Sequence, residues 1–157
     1  MDYVGRYATS SGKLEAYLIR KLREQGWGED REPPIDDIVT RFRQLGYIDD
    51  RAFAAMRASS LLRRGYGMRR VKEDLRHAGV GEEAATAAED AEAHAMQAAM
   101  TFARRRRIGP YAAADMDRDA ARRALSAMLR AGHSIDVARR VLALRPGELD
   151  EESSQNG

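Results

Sequence analysis

The chain has no cysteine, which excludes disulfides and thiolate metal sites and gives an oxidising compartment no support. No apolar run approaches the roughly 20 residues that cross a bilayer as a helix. The opening residues, MDYVGRYATSS, lack the apolar stretch of a secretory leader. Both absences point to a cytoplasmic protein. Bulky apolar residues are also scarce, with Leu, Ile, Val and Phe making up 27 of 157 residues. So low a share signals disorder only where net charge is high, and here 27 Lys+Arg face 25 Asp+Glu, a net of +2. Twenty-seven alanines supplement the apolar set and favour thin, closely packed helices over a bulky core. Lysine is scarce too, at 3 against 24 arginines, as the codons of a GC-rich genome would produce. Arginine is also the better fork for phosphate and carboxylate.

The charges come in blocks. Residues 1–60 balance, 61–78 carry six basic and two acidic residues, and 79–100 carry five acidic and none basic. Residues 101–147 carry eleven basic and four acidic residues, and 148–157 carry four acidic ones. Such alternation suits an interaction protein.

The apolar spacing is helical throughout, and no segment sustains the two-residue alternation of a strand. Leu14, Tyr17, Leu18 and Leu22 form one stripe, with Ser11 as its cap and Gly26 ending it in the left-handed conformation. Ile35, Ile38, Val39, Phe42 and Leu45 form a second helix after Pro33 and Pro34, stopped by Gly46. Asp49 or Asp50 caps a third, carrying Phe53, Met56 and Leu61 and ending near Gly65; Val71 and Leu75 mark a fourth, ending at Gly79. From Glu82 to about Arg107 neither Gly nor Pro occurs, which predicts one long helix with a break in its middle, closed by Gly109 and Pro110. Two more helices, 115–131 and 134–145, follow, and the acidic residues 148–157 read as a disordered tail.

Aligning Gly46, Gly79 and Gly132 exposes a degenerate internal repeat, at spacings of 33 and 53 residues. Ile38, Val71 and Ala124 stand eight positions before each glycine, and Phe42, Leu75 and Met128 stand four before. The expected fold is all-α: three tandem helical modules forming an elongated array, each touching only its neighbours. The repeats cover 1–60, 61–97 and 98–147, followed by the tail.

The segment LGYIDDRAFAAMRASSLLRRGYGMRRVKEDLRHAGV, residues 45–80, resembles the central signature of the RecX family of bacterial RecA regulators. The acidic pair after the glycine turn, Phe53-Ala54, the RRGYG turn and R-R-V-x-x-x-L-x-x-x-G-V carry the resemblance; weaker similarity extends over 6–27 and 98–145. The repeat reading itself predicts a monomer. The resemblance implies tandem three-helix repeats in a curved module, and a non-enzymatic protein that binds the RecA–single-stranded DNA filament in its groove. There it would inhibit ATP hydrolysis, strand exchange and coprotease activity, and so modulate DNA repair and the SOS response. No cofactor is implied.

Catalytic chemistry finds little in the residues. His77, His94 and His133 have no partner at metal-ligand spacing and read as surface or boundary residues. Asp36-Asp37 and Asp49-Asp50 sit at helix starts, where capping explains them. Gly65-Tyr66-Gly67 follows no strand and reads as a helix–helix turn rather than a phosphate loop. Met56, Met96, Met100, Met116 and Met128 read as gap-filling core.

Binding rests on two basic clusters. One is Arg63, Arg64, Arg69, Arg70, Lys72 and Arg76, flanking the turn at Tyr66, whose ring packs locally or stacks on a base. The other is Arg104, Arg105, Arg106 and Arg107; four consecutive positions on a helix cannot all face a core. Either could meet RecA carboxylates or DNA phosphates. The alternative is a helix–turn–helix transcriptional regulator in which residues 50–78 read duplex DNA; a third reading is a repeat scaffold for a protein partner.

Overall fold

The computed structural model describes residues 9–81 and 83–148. The acidic tail, from residue 149 on, lies outside them, as do residues 1–8. The described residues hold eight α-helices and one 3₁₀ turn, with no strand among them. α1 (Ser11–Gln25) and α2 (Ile35–Gln44) pair. α3 (Asp50–Arg63), α4 (Met68–Ala78) and α5 (Glu83–Glu92) pack as one three-helix unit. α6 (Ala95–Arg106), the 3₁₀ turn Gly109–Tyr111, α7 (Arg118–Arg130) and α8 (Ile135–Ala143) form the next. A division at 60/61 thus falls inside α3, and one at 97/98 inside α6. The stretch expected as one long helix breaks at Ala93 and His94.

Each three-helix unit has its own core. Phe53, Leu61, Leu62, Val71 and Leu75 supply the bulk of the first, completed by Ala87, Ala88 and Ala91 from α5. Ala99, Ala103, Met128, Ala138 and Val141 form the second, with Met96 and Met100 packed against it. Alanines at the helix contacts let the backbones approach, so few bulky residues suffice. Met56 departs from its expected core role: it is 50% exposed. A two-pronged ion pair clamps α3 to α4, with Arg57 Nε donating to Asp74 Oδ2 at 2.6 Å and its Nη2 to Oδ1 at 2.9 Å. These hydrogen bonds hold the Asp74 carboxyl below its ordinary range.

The units join end to end. α1 starts where α4 stops: the Ser10 hydroxyl donates to Ala78 O, and a Cβ on Gly12 would lie 2.6 Å from Gly79 Cα. Ser10, not Ser11, caps α1, accepting from Lys13 N–H at 3.2 Å. Ser11 N–H instead donates to Asp50 Oδ1 at 2.8 Å, so Asp50, only 5% exposed, ties α1 to α3 while Asp49 caps α3. Asp36 and Asp37 lie in the first turn of α2, which has no side-chain cap. α4 in turn starts where α7 stops. Gly67 N–H donates to Ala131 O at 2.9 Å and Arg69 N–H to Gly132 O at 3.0 Å. At this joint a Cβ on Gly67 would fall on the Gly132–His133 peptide, and one on Gly132 would lie 2.7 Å from Arg70 N.

These joints correct the repeat register. Gly79 and Gly132 end α4 and α7, the helices that take part in the joints. Gly46 follows α2, which packs on α1 as α5 packs on α4 and α8 on α7. The counterpart in the first unit is therefore Gly26, at the end of α1, and the spacing becomes 53 residues twice: Gly26, Gly79, Gly132. Leu22, Leu75 and Met128 keep that step, as do Leu18, Val71 and Ala124. Gly26 ends α1 with φ 77° but an extended ψ of 168°, not the left-handed helical conformation.

Candidate interaction surface

The glycine turn between α3 and α4 is built by its backbone. At the end of α3, Tyr66 N–H returns to Leu61 O and Gly65 N–H to Leu62 O, the paired bonds of a Schellman stop. The Gly65 backbone then passes Phe102 of α6, where a Cβ would lie 3.0 Å from Phe102 N, and Gly67 seats against α7. With the backbone committed inward, the Arg63, Arg64, Arg69 and Arg70 side chains are exposed. Tyr66 is half-buried against the core, with the guanidinium of Arg64 5.3 Å and that of Arg70 5.9 Å from its ring centre.

The two basic clusters converge here. Arg105 Nη1 donates to Arg64 O at 2.8 Å across 41 residues of sequence, and the Arg106 guanidinium lies 5.7 Å over the Phe102 ring. Arg69 Nη2 donates to Leu129 O at 2.8 Å. Arg64, Tyr66, Arg69, Arg70, Arg105 and Arg106 therefore share one edge of the joint between the second and third units. The remaining candidates lie apart. Arg63 lines a 580 Å³ alanine-floored cleft between α3, α5 and α6. Lys72 faces Glu92 of α5 at 4.0 Å. Arg76 sits near the far end of α4, and Arg104 lies over Tyr111.

Arg107 closes α6 in a conformation other helices here give to glycine. Its φ of 54° and ψ of 50° are left-handed, and it has the only positive φ among the described non-glycine residues. An L-residue there costs about 1 kcal/mol. Arg107→Gly is expected to raise stability by about that amount, read as a higher melting temperature, while removing one cation from the cluster.

His133 was missed as a surface residue; it is buried at this joint, 5% exposed. Its Nε2 lies 2.9 Å from Gly65 O, to which it donates, and its ring meets Phe102 edge-on at 5.5 Å between centres. The corrected register carried the signal, since His133 corresponds to Val80, which is also buried. Burial lowers the His133 pKa from 6.5, opposed by the Gly65 hydrogen bond. The unfolded chain therefore takes up a proton at a pH where the folded chain does not, so stability is complete above about 6.5 and falls as pH drops below it. His133→Gln is expected to flatten that part of a melting-temperature profile between pH 7 and 5. α7 adds four exposed arginines, Arg118, Arg122, Arg123 and Arg130, that the sequence reading did not single out.

No group of three or more His, Cys, Asp or Glu able to hold a metal occurs among the described residues. None of their helices is long and apolar enough to cross a membrane. Residues 49–88, spanning α3, the turn, α4 and part of α5, match the family model "RecX, second three-helix domain". The "Regulatory protein RecX" of Myxococcus xanthus is 32% identical over 155 residues, covering 93% of this chain and 83% of that protein. The chain belongs to the RecX family. The "Regulatory protein RecX" of Agrobacterium fabrum is 34% identical over 142 residues, covering 88% of this chain and 77% of that protein. No solved structure gives a significant match. RecX-type regulation, carried on tandem three-helix units, is thus the activity class of this chain, and the family-model match coincides with the unit that contributes the glycine turn to the joint.

Proposed function

We propose that the chain regulates RecA by seating itself in the groove of the RecA–single-stranded DNA filament, as a monomer in the cytoplasm without catalysis or cofactor. It restrains ATP hydrolysis, strand exchange and coprotease activity by bridging protomers and obstructing entry of the second DNA or the cleavable repressor. One observation carries this reading: arginines from two separate units gather on one edge, Arg64 and Arg70 over Tyr66, Arg105 bonded to the Arg64 carbonyl and Arg106 over Phe102. A row of guanidiniums fixed by a rigid joint suits a partner with regularly placed carboxylates or phosphates. We favour protein carboxylates, because the small net charge and the acidic blocks weaken attraction to naked DNA. The helix–turn–helix alternative needs the first turn of α4 free to enter a groove. That turn is already bonded to the end of α7, which counts against it.

The test replaces Arg64, Arg70 and Arg106 with Gln, sparing Arg69 and Arg105, whose side chains bond the joint. Inhibition of RecA-driven ATP hydrolysis is expected to weaken at least about tenfold, as charge-pair truncations at interfaces do, with circular dichroism and melting temperature retained. If the contacts are phosphates instead, binding to single-stranded DNA alone loses about 0.7 from its log–log salt slope per contact. Undiminished inhibition by the triple variant would sink the reading.

A further inference from the structure

A cleft of about 360 Å³ opens between the end of α6 and α7, with Arg106, Arg107 and Arg123 on its rim and Ile108, Met116 and Ala127 on its floor. No carboxylate lines it. Among the described residues Arg107 and Arg123 have no ion-pair partner, and the neighbouring surface of α7 continues the positive charge with Arg122 and Arg130. Three guanidiniums around an apolar floor fit an acidic peptide that carries one aliphatic side chain. Phosphate alone would leave the floor uncovered.

The chain supplies such a peptide beside the cleft. After α8, Gly147 N–H donates to Pro110 O at 3.2 Å, and Glu148 Oε2 accepts from Arg145 N–H at 2.7 Å. Pro110 stands two residues beyond Ile108, at most about 7 Å along the backbone. The residues that follow are Leu149, Asp150, Glu151 and Glu152, one aliphatic side chain and three carboxylates. Four extended residues reach about 13 Å, enough to cross from Pro110 to the rim.

We propose that the α6–α7 cleft is a site for an acidic, leucine-bearing peptide, and that its resident occupant is the chain's own segment Leu149–Glu152. Leu149 covers Ile108 and Met116, and the carboxylates meet Arg106, Arg107 and Arg123. The site overlaps the Arg104–Arg107 cluster, so the segment competes with whatever anion that cluster binds. This regulatory consequence rests on the proposed function; the docking does not. A tethered segment acts at an effective concentration of about 1 mM. With an intrinsic dissociation constant of roughly 0.1–1 mM, it weakens binding of a competing partner about two- to tenfold.

The experiment labels the methionine methyls of the full chain and compares it with the Asp150→Asn, Glu151→Gln, Glu152→Gln variant and with Leu149→Ala. The Met116 methyl resonance is expected to move in both variants and in Arg123→Gln, while that of exposed Met56 stays. The triple variant is expected to inhibit RecA-driven ATP hydrolysis at a two- to tenfold lower concentration. An unmoved Met116 in the triple variant overturns the docking. So does a shift that ignores Leu149→Ala and disappears in 0.3 M salt, which would mean loose charge screening only. A moved Met116 with unchanged inhibition leaves the docking standing and removes the Arg104–Arg107 cluster from the proposed filament contact.

Discussion

Gly67→Ala is expected to cost at least about 3 kcal/mol, the scale of severe overpacking, because the new methyl has nowhere to go. It would overlap backbone atoms of the Gly132–His133 peptide, not the end of a flexible side chain. Neither wall can retreat cheaply, since Gly132 is itself pressed against Arg70 N, and Gly67 N–H and Arg69 N–H both bond the end of α7. The α3–α5 and α6–α8 units should part while each keeps its helices. Circular dichroism at low temperature would then change little, melting would broaden, and amide exchange would speed up at Gly67, Arg69 and His133. A Gly67→Ala protein that melts like the parent would contradict the closeness of this joint.

Leu75→Ala should remove about 3 kcal/mol from the second unit, within the range for a fully buried leucine truncated where neighbours cannot collapse. Leu75 is 0% exposed and sits among Phe53, Leu61 and Val71. Its counterpart one step along the chain, Met128, is 0% exposed in the other core. Because the two cores are separate, each truncation should weaken its own unit first. Exchange protection should fall in α3–α5 for Leu75→Ala and in α6–α8 for Met128→Ala, with denaturation in two steps. A single cooperative transition with uniform loss of protection would show that the joint couples the units more tightly than either core.

Much of this architecture was readable from the chain. Glycine and proline stops at 33–34, 46, 65, 79 and 132 place the helix ends within a few residues, because a positive φ or a missing N–H acts locally. The true register was hidden by a local likeness: LGYIDD and AGVGEE both follow amphipathic helices, so Gly46 aligned with Gly79. What distinguishes Gly79 is a neighbour 67 residues earlier, Gly12, and no periodicity reports such a contact. The equal 53-residue steps also conceal unequal links. The first unit spends nine residues between α1 and α2, while the third spends its extra length between α6 and α7. The arginines were legible as two clusters, but their meeting depends on the Arg105–Arg64 bond and on Phe102 lying against Gly65. His133 was misjudged because a lone polar ring gives no sign of burial until its hydrogen-bond acceptor, the Gly65 carbonyl, is known.

The end-to-end joint also answers a question of electrostatics. The first turn of α4 carries no acidic residue and instead holds Arg69 and Arg70. Cations sit badly at the positive pole of a helix macrodipole, at about 0.3–1 kcal/mol each. In this chain the negative pole of α7 lies against that end and its carbonyls occupy the amides, so the two poles largely cancel and the arginines are displayed without that penalty. The outer pole of the same column, at the start of α7, has no such neighbour and is quenched by Asp117, whose carboxylate accepts from Ala120 N–H at 2.7 Å. Opening the joint would thus do more than separate two units. It would uncover a positive pole beneath Arg69 and Arg70 and raise the free energy of the basic edge itself, so that edge and the contact that holds the units together are thermodynamically one element.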